Sequence, residues 1–551
     1  MQHGPRSTRR WSAVVAAVLA GLVAVAGSAT AQTIPDAETL VARDVVQQVL
    51  TTATQDPTAI QVADDGRVIF AERKGNVKIW HQDGTLVTAG RIGVDASSGQ
   101  CSDCPGRNLD EGGLHGLALS PGFNSNHQIY TYYSVPNSLD IAPNPPKHPG
   151  ARGPQDTEGL FRLSRFTLDG DVLDLASEEI LFENPAEWFH CCHYGGDMDW
   201  LPDGTMLLSV GDDTISSQSG GFAPRDARLG YEYNSAEKTS QNLADRRGKL
   251  LRIDVEDVDS DGSMLPTNNP FRANPAADPY VYALGFRSNY RFGVDPVTGT
   301  AYVGTVGPDG KTPDQNRGPA AHEEIEVVPL GGGTNHGWPR CIANNIPYND
   351  YDWETNQAGA PLSCEGMTPA AIWYSYNPGT TSPYVQLGFG GTCDAVMGGV
   401  AYRRPDTGAL RLPPRFDDQL LWMEWCRGVV VSTPITASGQ LNNSPEAVKV
   451  ISSGLRSPSD STVGPDGAVY ITEYAARNYN ASNSRITRLT GGGTPTSSDY
   501  LGSPRVVNPT TVRARANVIP AASASVEGPI ALGVLALLAG VVAVRRRRQL
   551  V

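Results

Sequence analysis

The chain has 551 residues, 40% of them hydrophobic and 19% charged, with 59 glycines and 41 prolines. That composition describes a folded, turn-rich polypeptide and excludes a disordered one. The formal net charge is −14; three arginines near the start and four near the end leave about −21 between them, which repels phosphate backbones and argues against nucleic acid as a partner.

Arg6, Arg9 and Arg10 precede an apolar run over 13–27 and the small-x-small sequence Ala29-Thr30-Ala31. This is the layout of a signal peptide spanning 1–31, cleaved after Ala31; an uncleaved anchor is the alternative, although the run is short for a spanning helix. Residues 32–489 form the folded body. The stretch 490–528, rich in Gly, Pro, Ser, Thr and Ala, reads as a flexible stalk. Beyond it, the apolar run 529–544 closes on Arg545-Arg546-Arg547-Arg548. Residues 529–551 are expected to be a transmembrane segment with cytoplasmic arginines, or a sorting helix removed after export. Either way the body is expected to be exported and tethered outside, at the cell surface or periplasmic face, by its C-terminus, with a cytoplasmic Arg-rich tail unless that tail is processed.

Eight cysteines in an exported chain favour disulfides. Cys101-x-x-Cys104 has no following His and no second CxxC, so a local bridge is expected rather than a haem or zinc site. Cys341 with Cys364 closes a loop of ordinary size, and Cys393 with Cys426 is the remaining pair. The neighbours Cys191 and Cys192 are expected to bond each other through a strained ring, with two free thiols or two outside partners as the alternatives.

A turn followed by a short alternating strand recurs six times. Asp64-Asp65-Gly66, Ser120-Pro121-Gly122, Pro202-Asp203-Gly204, the 295–299 turn, Phe416-Asp417-Asp418 and Pro465-Asp466-Gly467 precede strands at 67–71, 127–133, 205–210, 300–305, 419–424 and 468–472. Most are followed by a second strand reading small-basic-apolar, as in Gly248-Lys249-Leu250-Leu251-Arg252-Ile253. Hairpins of this kind cannot bury both faces alone, whereas six small sheets stacked radially can, so an all-β, six-bladed β-propeller is expected, with a β-sandwich array as the alternative. The uneven spacing of the turns assigns long insertions to blades two to five, where sites are built.

The chemistry-bearing residues fall in those insertions. His190-Cys191-Cys192-His193-Tyr194-Gly195-Gly196-Asp197 precedes the third blade, beside the central channel, where a histidine suits proton transfer near neutral pH. His193 is the candidate base; a structural pairing with Asp197 or Asp212 is the competing role. Arg287 follows the apolar stretch 280–286 and points a fixed cation at the channel mouth. Gly307-Pro308-Asp309, a turn with free carbonyls near Glu323-Glu324, suits calcium. Asp257-x-Asp259-x-Asp261-Gly262 lacks the twelfth-position acid of a calcium loop and reads as a solvated turn.

Five motifs, in order, resemble the glucose/sorbosone dehydrogenase family: Glu111-Gly112-Gly113-Leu114-His115-Gly116-Leu117-Ala118; His193-Tyr194-Gly195-Gly196 with Pro202-Asp203-Gly204; Gly248-Lys249-Leu250-Leu251-Arg252-Ile253; Asn268-Asn269-Pro270-Phe271; and Asn335-His336-Gly337-Trp338-Pro339. The resemblance runs from about 46 to 489 and implies a six-bladed propeller of the soluble quinoprotein sugar dehydrogenase type. It further implies that a channel histidine takes a proton from the anomeric hydroxyl while hydride passes to pyrroloquinoline quinone (PQQ) held by calcium and basic residues. Carried over, His193 is the base, Arg287 the cation beside the quinone carbonyl, and Glu111 a first-blade polar contact, with the Gly307 and Pro308 carbonyls on calcium.

The chain departs from the family at three places. Arg287-Ser288-Asn289 replaces Arg-Asn-Pro, Cys426-Arg427 replaces a Lys-Arg pair, and Arg456-Ser457-Pro458-Ser459-Asp460 replaces Arg-x-Arg-Asp. Each lost cation weakens the hold on a tricarboxylate. Ser288, Arg427 and Arg456, with Arg287, are the cofactor contacts that remain. The expected activity is oxidation of an aldose or related sugar alcohol, with electrons leaving to an unidentified acceptor. The alternatives are a catalytically silent extracellular binding propeller and a calcium-dependent hydrolase or lactonase.

Overall fold

In the computed structural model each of the six turns found in the sequence joins the first and second strands of a four-stranded antiparallel sheet. Residues 44–96, 111–136, 158–187, 192–214, 219–228, 231, 234–257, 262–375, 384, 393–475 and 483–491 are described. The chain divides into compact units 1–507 and 508–551, and the second lies outside these residues. So do the signal peptide, nearly all of the stalk, the C-terminal segment, Cys101, Cys104, Cys191 and His190. Among the described residues no helix is long and apolar enough to cross a membrane.

The turns form because glycine takes the left-handed backbone they need: Gly66, Gly204 and Gly467 have φ of 86°, 89° and 82°. Blade one runs from the axis outward as Pro57–Val62, Val68–Glu72, Asn76–Trp80 and Leu86–Arg91; blade two as Leu114–Leu119, Gln128–Ser134, Glu158–Asp169 and Val172–Glu187. Blade three comprises Met198–Trp200, Met206–Val210, Lys249–Ile253 and Val281–Leu284; blade four Ser288–Val294, Ala301–Val306, His322–Val328 and Ile372–Ser375. Blade five comprises Val396–Tyr402, Gln419–Glu424, Val429–Pro434 and Lys449–Ser452. In blade six Pro458–Val463, Val469–Glu473 and Arg485–Thr490 are completed by Val46–Thr51 from the other end of the body, with Val46 opposite Thr490. That shared sheet closes the ring.

The strands expected to alternate do not. Val68–Glu72, Met206–Val210 and Val469–Glu473 are buried at every position. Each sheet is covered on both faces by its neighbours, so both sets of side chains are inside. The core is correspondingly divided into one apolar cluster per blade interface. Tyr130 and Leu163 of blade two meet Met206 and Leu251 of blade three; Phe70 and Trp80 of blade one meet Tyr470 and Ile486 of blade six.

Blades three and four carry long insertions, whereas blade five carries none of comparable length, contrary to the expectation from turn spacing. The blade-four insertion folds as two small hairpins, Cys341–Ile342 with Ile346–Pro347 and Asn349–Asp352 with Gln357–Pro361. Its Trp338, Ile342 and Tyr348 pack on Ala223 and Ala236 of the blade-three insertion. A Cys341–Cys364 disulfide staples this lobe, and Cys393–Cys426 ties the entry of blade five to the turn after its second strand. Cys192 is also disulfide-bonded, and none of the described cysteines is free. Such bonds persist in oxidising compartments outside the cytoplasm.

Candidate active site at the channel mouth

Polar residues line the approach to the axis in two tiers four residues apart: Glu111 and His115, His193 and Asp197, Arg287 and Arg291, Arg456 and Asp460. The second members of these pairs gather around Arg291.

The deeper tier is a floor built on Arg291, which is fully buried. Its guanidinium donates to the carbonyls of Thr58 in blade one, His115 in blade two, Ser459 in blade six and its own neighbour Tyr290. Asp197 and Asp460 lie 3.9 and 3.8 Å away. Both also cap the next blade, accepting the N–H of Phe292 and Ile60. Burial pushes both carboxyls up and the Arg291 charge pulls them back, Asp460 ending at about 8.

The upper tier centres on Asp212, which is fully buried at the end of the second strand of blade three. Its Oδ1 accepts from His193 Nδ1 at 2.7 Å and from Thr214 N–H at 3.1 Å. Its Oδ2 accepts from Trp338 Nε1 at 2.7 Å and from the Thr214 hydroxyl at 2.8 Å. The Asp212 N–H donates to the Arg287 carbonyl at 2.7 Å. Burial opposes ionisation, but the His193 charge and hydrogen bond, the Arg287 charge and the Trp338 donor outweigh it and hold this carboxyl below its usual range. An ionised carboxylate only accepts, so His193 carries its proton on Nδ1 and turns Nε2 away from Asp212.

The backbone that presents His193 is left-handed, with φ of 111° at Cys192, 68° at His193 and 107° at Gly196. Such conformations persist only where the surroundings hold them. The Glu111 carboxylate accepts the His193 N–H at 2.7 Å. A Cβ on Gly211 would lie 1.8 Å from the His193 carbonyl, so only glycine admits this path. Glu111 leads into blade two, not blade one as expected from the sequence.

Arg287 lies in the crossover from the rim strand of blade three to the inner strand of blade four, rather than ending a channel strand. Its Nη1 donates to the Val306 carbonyl at 2.9 Å and its guanidinium carbon stands 5.8 Å from the Trp338 ring centre. Its other N–H groups have no hydrogen-bond partner among the described residues and stay available to a ligand. Ser288 follows, buried opposite Val306. Asn289 turns between blades, donating to the Lys249 carbonyl at 2.8 Å.

The Gly307-Pro308 turn directly follows Val306. Glu323 is buried beside it, and its oxygens accept the N–H of Gly307 at 3.1 Å and of Val396 at 2.7 Å. Glu324 likewise is buried and bonded to the Ala343 N–H. Among the described residues no three His, Cys, Asp or Glu side chains gather as a metal cluster. The main-chain oxygens of Gly307 and Pro308 are donors of the kind calcium takes, and they fit that ion as partial ligands.

Arg427 is tied by Nε and Nη2 to Asp394 at 2.9 and 2.7 Å, beside the Cys393–Cys426 bridge. Arg456 is exposed and its Nη1 donates to the Asn483 carbonyl at 3.2 Å. Thus Asp212 and Val306 link Glu111, His193, Arg287, Ser288 and Gly307 in one chain of contacts, whereas Arg427 is engaged by Asp394 and Arg456 by Asn483. A guanidinium with open N–H groups suits an anionic or carbonyl oxygen, and an imidazole whose Nε2 can only accept suits a hydroxyl donor. Trp338, Thr214 and Arg291 escaped the sequence reading, although Trp338 lies within a motif singled out there and the four-residue spacing holds at every pair.

The fold and site define a six-bladed propeller with a His–Asp pair and a guanidinium at its axial mouth. A family model described as Glucose / Sorbosone dehydrogenase matches residues 54–386, more than half of the chain, and the chain belongs to this family. It is 27% identical over 324 residues to an uncharacterized protein of Synechocystis, covering 58% of this chain and 64% of that protein. It is 25% identical over 274 residues to quinoprotein glucose dehydrogenase B of Acinetobacter calcoaceticus, covering 49% of this chain and 48% of that one. The chain therefore spans less than two thirds of the length of these curated relatives. The PQQ-bound form of an aldose sugar dehydrogenase from Streptomyces coelicolor superposes with a TM-score of 0.50 at 16% identity, over 81% of this chain and 98% of that one. The soluble aldose sugar dehydrogenase of Escherichia coli gives 0.51 at 16%, over 81% and 99%. These two likenesses establish the fold, a PQQ sugar dehydrogenase-like propeller.

Proposed function

We propose that the protein is an exported, membrane-tethered quinoprotein that oxidises an aldose or related sugar alcohol and passes the electrons to a separate acceptor. The observation that carries this reading is that Asp212 binds His193 and the Arg287 main chain and feels the Arg287 charge, which brings a base and a cation to one carboxylate.

In this reading Arg287, Arg427 and Arg456 would hold the carboxylates and carbonyl of PQQ, with Glu111 and Ser288 as polar contacts. The Gly307 and Pro308 carbonyls would hold calcium. When bound, the quinone supplies the hydride acceptor that no side chain provides. His193 Nε2 takes the hydroxyl proton of the sugar, Asp212 keeps the ring oriented and stabilises the imidazolium that forms, and Arg287 stabilises negative charge developing beside it. Segment 529–551 would anchor the chain.

Titration of the protein with PQQ and calcium, followed by absorbance and dye reduction over a panel of aldoses, tests the proposal. Cofactor-dependent sugar oxidation is expected; no spectral change at high PQQ rules the enzyme out. The engagement of Arg427 by Asp394 favours a second reading, a propeller that binds sugar without turnover. Sugar binding without dye reduction would establish it.

A further inference from the structure

Trp338 touches Asp212, the partner of the proposed base, and the proposed cation Arg287. It is 2% exposed, its Nε1 donates to Asp212 Oδ2 at 2.7 Å, and its ring faces the Arg287 guanidinium. The backbone that places it is itself clamped. Gln241 donates to the Trp338 carbonyl at 2.7 Å and exchanges two side-chain hydrogen bonds with Asn335, while Trp338 N–H donates to the Gly285 carbonyl. Tyr348 packs edge-on against its ring at 6.0 Å. The blade-four insertion thereby reaches across to a carboxylate of blade three that carries the base of the site.

We infer that Trp338 is a positioning residue, one whose indole N–H sets the basicity of His193 through Asp212. This rests on the proposed role of His193. With His193 and Thr214 N–H on Oδ1, and Trp338 and the Thr214 hydroxyl on Oδ2, the carboxylate charge is shared among four donors. Removing the indole donor leaves more charge facing His193 Nδ1 and favours the imidazolium. Of the charged groups, Glu111 accepts the His193 N–H and Arg287 acts on Asp212, while Asp213, next in the chain, pairs with Arg247 at 3.4 Å; Trp338→Phe removes none of them.

The test is a pH titration of the cofactor-free full chain carrying ¹⁵N-labelled histidine and tryptophan. Trp338→Phe, with its melting temperature checked, should raise the His193 pKa by about one unit. Thr214→Val, which removes the other Oδ2 side-chain donor, should move it the same way. In the loaded enzyme the acid limb of kcat should move up equally while KM for sugar changes less. A folded Trp338→Phe whose His193 titrates within about 0.2 unit of the parent overturns the inference. If that variant does not fold, the wild-type Trp338 indole resonance decides: it must titrate with His193, and an indole that ignores the imidazole overturns the inference equally. Because the titration needs no PQQ, failure of the parent to bind the quinone counts against the proposed function alone.

Discussion

The guanidinium of Arg291, on the inner strand of blade four, lies 3.8 Å from the carboxylate of Asp460, on the inner strand of blade six. With carbonyls of blades one, two and six as its acceptors, Arg291 closes the channel beneath the site.

Replacing Arg291 by Met should therefore cost about 3–5 kcal/mol, because three inner strands lose a shared donor and two buried carboxyls lose their counter-charge. Denaturant midpoints measure it. A loss below about 1 kcal/mol would show that the ring holds without its axial cation.

The ring of blades was legible because each one starts from a local Asp-Gly-type turn, whose signal lies in three adjacent residues. Even where blade five lacks the glycine, Asp418 takes φ of 56° and the turn survives. Arg291 was not legible, since its partners at Thr58 and Ser459 are some of the most distant residues of the body and meet it only when the ring closes. The strand burial was misread for a related reason: both faces are covered by blades that a local window does not contain. His193 was found from its position before an inner strand and Arg287 from its place at the end of an apolar stretch, but their common partner Asp212 stood only as an alternative, because its bonds join separate loops.

His115 gives a signed pH effect. Burial, with Arg291 and Arg73 nearby, pushes its pKa down to about 3, while its Nδ1–H donates to the Gly195 carbonyl at 2.9 Å. A histidine depressed in the fold contributes stability above the unfolded value near 6.5, lost as pH falls toward 3. His115→Asn keeps a donor but does not titrate. The advantage of the parent over this variant should shrink between pH 6.5 and 4 in thermal melts; an advantage that grows on acidification would contradict the assignment.

The Cys341–Cys364 bridge spans 23 residues and Cys393–Cys426 spans 33. Each should stabilise the fold by roughly 3–4 kcal/mol in the chain-entropy model. The paired serine variant at 341 and 364 should melt earlier and loosen the lobe that holds Trp338, read as faster hydrogen exchange over 337–362. Unchanged exchange there, with a lowered melting temperature, would place the effect in the unfolded chain alone.

The central claim, that His193 is the base of a quinoprotein site, is tested most directly by His193→Ala in the PQQ- and calcium-loaded protein. Turnover of the best sugar should fall by about 10²–10⁴-fold while the melting temperature and the PQQ concentration for half-saturation stay near the parent's. A stable His193→Ala protein that binds the quinone and oxidises sugar at the parent rate would contradict the account.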